Sequence, residues 1–215
     1  SYLIQGGKCI GCSESISIRY PLVELITGTL FIFFAYSSPT FYNHSQNPFL
    51  ITFFSWLFLS LLICISLIDM NSFWIPQGLI NFGFVFGILG LISLDILKEQ
   101  SIDFSLTAIG LTSAAISFLI FESLRHFTKY IFKKDALGKG DSKLIAMLAL
   151  WLGPIGTLLM VGISYLLAAI FCFIGLSLKF LRFKQAIPFA PFLSIGGLIV
   201  WLLGNKIILE KFLRI

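Results

Sequence analysis

Long apolar runs separated by short polar stretches set the pattern of this chain. Residues 22–36 are apolar and follow Arg19, Tyr20 and Pro21, with Pro21 suited to a first helical turn and Glu24 one turn inside. Residues 37–48 form a loop of Ser, Pro, Asn, Gln and His without Lys or Arg. Residues 49–68 form an unbroken apolar run, close to the ~20 residues a helix needs to cross a bilayer, and Asp69 ends it. Asn71, Ser72, Trp74, Pro76 and Gln77 predict a turn. Apolar runs follow at 78–97 and 104–124, and then a strongly basic loop at 125–143. Residues 144–178 are apolar but too long for one crossing and too short for two. Gly153-Pro154 predicts a break there, because proline removes a backbone donor and disfavours helix at the residue before it. The first piece, 142–152, is then about half a bilayer long. A basic stretch at 179–184 precedes the last run, from 187 to about 209. The pattern predicts an all-α fold: a multi-span transmembrane helical bundle of about seven membrane segments, one short or broken. No internal repeat is evident.

Composition agrees. Of 215 residues, 58% are hydrophobic and 12% charged, against about 25% charged in soluble domains. The net charge of +5 is gathered in particular loops, which is a topology signal and not a nucleic-acid signal. If residues 1–20 are cytoplasmic, eleven of the 15 Lys and Arg residues fall on that side, as the positive-inside rule expects. Lys206, Lys211 and Arg214 in the C-terminal tail go against it. The expected organisation is a polar cytoplasmic segment at 1–20 and a transmembrane domain at 21–215. No signal peptide is visible, and a chain beginning at Ser1 rather than Met suggests that the native N-terminus lies upstream.

This topology sets Asp69 and Asp141, 72 positions apart, at the same cytoplasmic face. A carboxylate at a membrane helix end needs a reason. Two carboxylates sharing one proton supply both the base that activates water and the acid that protonates a departing amine. Gly138 and Gly140 beside Asp141 let the backbone bend and a substrate strand approach. The competing explanation is ordinary: an Asp at a helix end is more often a cap or a solvated residue. Residues and spacing alone leave three classes open. These are an intramembrane protease, an ion-coupled transporter using the same aspartates as ion ligands, and an assembly protein without activity.

Motifs narrow the choice. Gly138-Lys139-Gly140-Asp141-Ser142-Lys143-Leu144 resembles the G-x-G-D-x-K-L signature of the bacterial type IV prepilin peptidases, a family of intramembrane aspartic proteases. Residues 19–28, RYPLVELITG, resemble its R-Y-P-L-V-E-L-x-T-G segment. Ile68-Asp69 with Ile75-Pro76 resembles its I-D-x-D…L-P-D turn, and residues 187–192, IPFAPF, its I-P-F-G-P-F lead into the last helix. Asn71, Gln77 and Ala190 depart from those patterns. The resemblance implies catalytic roles for Asp69 and Asp141, with Gly138, Gly140 and Lys143 in the active-site loop. It implies cleavage of the basic leader of prepilins and pseudopilins at the cytoplasmic side of a bacterial inner membrane. It also implies N-methylation of the new N-terminus with S-adenosylmethionine, through residues this sequence does not identify. Proteolysis itself needs no cofactor. The lipid bilayer is the other expected partner, and nucleic acid is not one.

Cys9-Ile10-Gly11-Cys12 resembles half of the family's cytoplasmic four-cysteine cluster. A closed zinc site wants four ligands in two such pairs, so Cys9 and Cys12 are candidate metal ligands as half of a site, with zinc expected in the complete protein. Cys64 and Cys172 read as small buried residues in apolar runs. Asp95, Glu99 and Asp103 read as a solvated boundary at the far face. His44 reads as a solvated loop residue, His126 as facing headgroups, and Glu122 as an ion-pair partner of Arg125 or Lys129.

Overall fold

The computed structural model of the protein describes residues 2, 5–36, 48–97, 104–133, 138–182 and 185–208. His44, Glu99, Asp103, Lys134 and Lys211 fall outside them. Helix accounts for most of the described residues: α1 (Arg19–Tyr36), α2 (Pro48–Ser72), α3 (Gln77–Ile96), α4 (Ser105–Phe132), α5 (Lys139–Ser177) and α6 (Ala190–Ile208). Four of these are long and apolar enough to cross a membrane, at Pro48–Ser72, Gln77–Ile96, Ser105–Ile131 and Lys139–Ser177. Two compact units divide the chain, Ser1–Ser38 and Pro39–Ile215.

The first unit joins α1 to a small knuckle closed by backbone hydrogen bonds. The Ile16 N–H donates to the Gly7 carbonyl at 2.8 Å, the Cys9 N–H to the Glu14 carbonyl at 2.9 Å, and the Ser13 N–H to the Cys9 carbonyl at 2.9 Å. Gly6 and Gly7 take positive φ, as tight reversals require.

In the second unit α5 is the element around which the others pack. Its 39 residues would reach ~58 Å as one straight helix, twice the ~30 Å hydrocarbon core. Gly153 breaks it, at φ 69° and ψ −178°, a conformation essentially reserved for glycine. Asp141 and Tyr165 line a single cavity, whereas an unbroken helix would hold them ~36 Å apart. The chain therefore doubles back at Gly153, the position where Gly153-Pro154 led us to expect the break. Beyond the polar first turn of the first limb, 144–152 are apolar on every side and all buried with at most 4% exposure. A helix without a polar face belongs inside a bundle.

Small residues let the neighbours close on that limb. Gly83 and Gly87 of α3 meet Met147 and Trp151, and Gly110 of α4 meets the Leu150 backbone. The Trp151 indole N–H donates to the Gly83 carbonyl at 3.0 Å. Its ring stacks at 5.0 Å on Phe58 of α2, which in turn lies 4.9 Å from Trp201 of α6. At Gly196 of α6 a Cβ would sit 2.7 Å from the Met160 carbonyl of the returning limb, so α6 packs against both limbs of α5.

Three expectations need correction. Arg125 does not open a loop, because α4 continues to Phe132. Asp95 is not solvated: it is fully buried at the end of α3. There it accepts the Leu106 and Thr107 N–H groups at 3.2 and 2.8 Å and the Thr107 hydroxyl at 2.7 Å. The orphan donors of α4's first turn supply those bonds, which hydropathy does not register. Cys64 is exposed and Cys172 half-buried, since an apolar run in a membrane has a lipid-facing side as well as a packed one.

Candidate active site

Asp69 lies in the last turn of α2, where the helix runs on to Ser72 and ends with Phe73 at positive φ. The residue is 5% exposed, and its Oδ2 accepts the Ala190 N–H, the first of α6, at 3.1 Å. Pro191 follows and has no N–H to offer, so the free donor at that helix start is directed to Asp69. Asp141 sits at the third position of α5, after Gly138 as N-cap, and its Oδ2 accepts the Gly138 N–H at 3.2 Å. This is one side of a capping box; the glycine has no side chain to return the bond. Both carboxylates thus stand at helix N-termini, where backbone N–H groups and the helix dipole converge on negative charge.

The two acids face one cavity of about 730 Å³. It is lined from the α2–α3 turn by Phe73, Trp74, Ile75 and Gln77, from the α5 start by 138–141 and Lys143, from the returning limb by Tyr165, and from the lead into α6 by 186–189. Asp69 and Asp141 are near enough to interact electrostatically, as are Asp141 and Tyr165. All the active-site-loop positions named from the motif, Gly138, Gly140 and Lys143, line this cavity. A Cβ on Gly140 would come within 3.1 Å of Ile75, so glycine lets the α5 start close on the α2–α3 turn. Lys143 Nζ donates to Gln77 Oε1 at 2.6 Å and closes the same seam from the rim.

Three participants were not legible in the sequence. Tyr165 lies in a long apolar run where no motif marks it. The Ala190 N–H is a backbone group. Gln77 reads as a turn residue, although it follows Pro76 at a position where the resembling family often has Asp or Asn. Glu122 pairs with Arg125, as expected, and also accepts the Ser142 hydroxyl at 3.0 Å. His126 is exposed and stands 3.4 Å from Glu122.

In the first unit, the Gly11 and Cys12 N–H groups and the Cys12 side chain bond to the Cys9 sulfur and hold its thiol below the usual range. That arrangement suits a metal thiolate. Two sulfurs are half of the donor set of a closed zinc site, and the described residues contain no group of three or more His, Cys, Asp or Glu able to hold a metal. A complete site would need ligands beyond these.

The site is thus a pair of carboxylates at helix N-termini, facing one cavity of an apolar helical bundle. The chain belongs to the type IV leader peptidase family, whose model matches residues 56–173. The bacterial peptidase A24 N-terminal domain matches residues 1–38. Similar curated proteins include the prepilin leader peptidase/N-methyltransferase of Pseudomonas aeruginosa, 32% identical over 207 residues. That of Aeromonas salmonicida is 32% identical over 214 residues. The type 4 prepilin-like proteins leader peptide-processing enzyme of Escherichia coli is 31% identical over 200. These matches cover 96%, 96% and 92% of this chain and 66% of each relative's own length. No solved structure matches.

Proposed function

We propose that this chain carries the aspartic endopeptidase of a prepilin-processing enzyme, with Asp69 and Asp141 as the catalytic pair. The observation that supports it most directly is that both carboxylates open on one cavity large enough for a stretch of extended peptide. One aspartate, ionised, takes a proton from water as the water oxygen attacks the scissile carbonyl carbon. The other, protonated, hydrogen-bonds the carbonyl oxygen. As the C–N bond breaks, a proton from the pair passes to the departing amine, and the two acids again hold one proton between them. Gly138 and Gly140 keep the cavity wall thin, and Lys143 with Gln77 holds the α2–α3 turn against α5.

In this reading residues 1–20 are cytoplasmic, 21–215 are the membrane domain, and the two limbs of α5 count as separate segments, which makes seven. The dyad faces the cytoplasm of a bacterial inner membrane. The substrates are prepilins and pseudopilins, and their apolar helix is recognised by packing between segments. The relatives' names pair the peptidase with an N-methyltransferase, and we extend that activity to the complete protein. No residue is assigned to S-adenosylmethionine: the cavity's polar side chains centre on two carboxylates, which form an acid–base set and not a nucleoside site. Zinc on Cys9 and Cys12 would need a second cysteine pair. The family assignment lends nothing to an ion-coupled transporter.

The test is incubation of membranes containing the protein with a prepilin substrate, read by mass, which reports cleavage and methylation together. Loss of the leader with wild-type protein and its retention with Asp69→Ala and with Asp141→Ala are expected. Cleavage by either variant at the wild-type rate would remove that residue from the pair.

A further inference from the structure

One buried polar cluster has no part in this chemistry. Ser142, the residue after Asp141, is fully buried. Its hydroxyl donates to Glu122 Oε2 at 3.0 Å, with the Lys139 carbonyl as a longer alternative acceptor at 3.3 Å. A hydroxyl has one proton to give, and an ionised acceptor makes the stronger bond. Glu122 is itself gripped by Arg125, whose Nε donates to Oε2 at 3.1 Å while an Nη reaches Oε1. The Arg125 side chain is only 7% exposed. That fork fixes the carboxylate on α4 before Ser142 meets it.

The first turn of α5 needs such an anchor. It starts with glycines at its N-cap and second position, which restrain the backbone little. The Asp141 carboxylate bonds within its own turn, to Gly138, and so does not tie the turn to the bundle. The Lys143–Gln77 bond does cross to α3, but on a long, exposed side chain. The Ser142–Glu122 bond crosses to α4 from a buried hydroxyl one bond from Cβ, adjacent to the acid itself.

We propose that Glu122 and Ser142 are positioning residues for Asp141, a bracket from α4 that sets the roll of the α5 start and thereby the aim of the Asp141 carboxylate at Asp69. The inference rests on the reading of Asp141 as one of the catalytic pair. It is tested in the full-length protein, in membranes, with a prepilin substrate. Ser142→Ala should lower kcat about 10- to 100-fold, the usual consequence of a small misplacement, with KM within about twofold and thermal stability near wild type. Ser142→Thr, which keeps the hydroxyl, should recover most of kcat. Glu122→Ala should show a similar kcat loss, and the double variant should be no slower than Glu122→Ala alone, because both remove one bond. If the buried Arg125 charge, deprived of the Glu122 carboxylate, unfolds Glu122→Ala, the two Ser142 variants decide the matter by themselves. Wild-type kcat in Ser142→Ala, no recovery in Ser142→Thr, or multiplying losses in the double variant would overturn the bracket. Asp141→Ala is run beside them. If it still cleaves, the catalytic pair is wrong; if it is dead while Ser142→Ala is unchanged, only the bracket is wrong.

Discussion

Carboxylates stand near the two ends of α3 in opposite circumstances. At the end near Ile96, Asp95 is sealed from solvent and meets three donors from the start of α4. Some ~30 Å away along the helix, beside Gln77, Asp69 accepts the Ala190 N–H and Asp141 the Gly138 N–H, and the two share a cavity of about 730 Å³. A carboxylate whose acceptor sites are filled by a neighbouring helix is a joint. A pair left facing each other across open space retains acceptor capacity for water and substrate. Burial alone does not separate the two cases: Asp95 is the more deeply buried, and it is the structural one.

Substitution should expose the contrast. Asp69→Ala and Asp141→Ala should each lower leader cleavage by about 10³-fold or more, measured by mass on a prepilin substrate, with thermal unfolding little changed. Asp95→Ala should do the reverse. Stranding the α4 donors costs about 2 kcal/mol of stability, read as a lower midpoint of thermal unfolding, while kcat per folded molecule stays at wild type. A large kcat loss in Asp95→Ala would erase the distinction between the two ends. Gly140→Ala sharpens the comparison on the side of the acid pair. Its Cβ would press on Ile75 and ease the α5 start from the α2–α3 turn, and about a tenfold fall in kcat is expected. The smallest effect should come from Lys133, exposed at the C-terminal cap of α4. Lys133→Glu should leave kcat/KM within about twofold, because the leader of the proposed prepilin substrate is itself basic and gains little from that charge.

The apolar segments, the acid pair and the glycines beside it were readable from the chain alone, because each is a local signal: a run length, a motif, a breaker such as Gly153-Pro154. Asp95 was misread for the same reason. Its meaning depends on donors from Leu106 and Thr107, and a polar residue at the edge of an apolar run looks solvated until that helix start is placed. Cys64 shows the complementary failure, since hydropathy marks depth in the bilayer but not which face of a helix meets lipid.

What the residues determined by themselves was the helical segments, their membrane-spanning length and apolar character, and the candidate acids, since run length and motif act without reference to the fold. The tertiary structure decided the rest. It turned α5 back on itself so that Tyr165 joins Asp141 in one cavity, brought the Ala190 N–H to Asp69, and set Glu122 against Ser142. These contacts arise from helix packing between residues distant in sequence, and no local pattern encodes which backbone donor a buried carboxylate will meet.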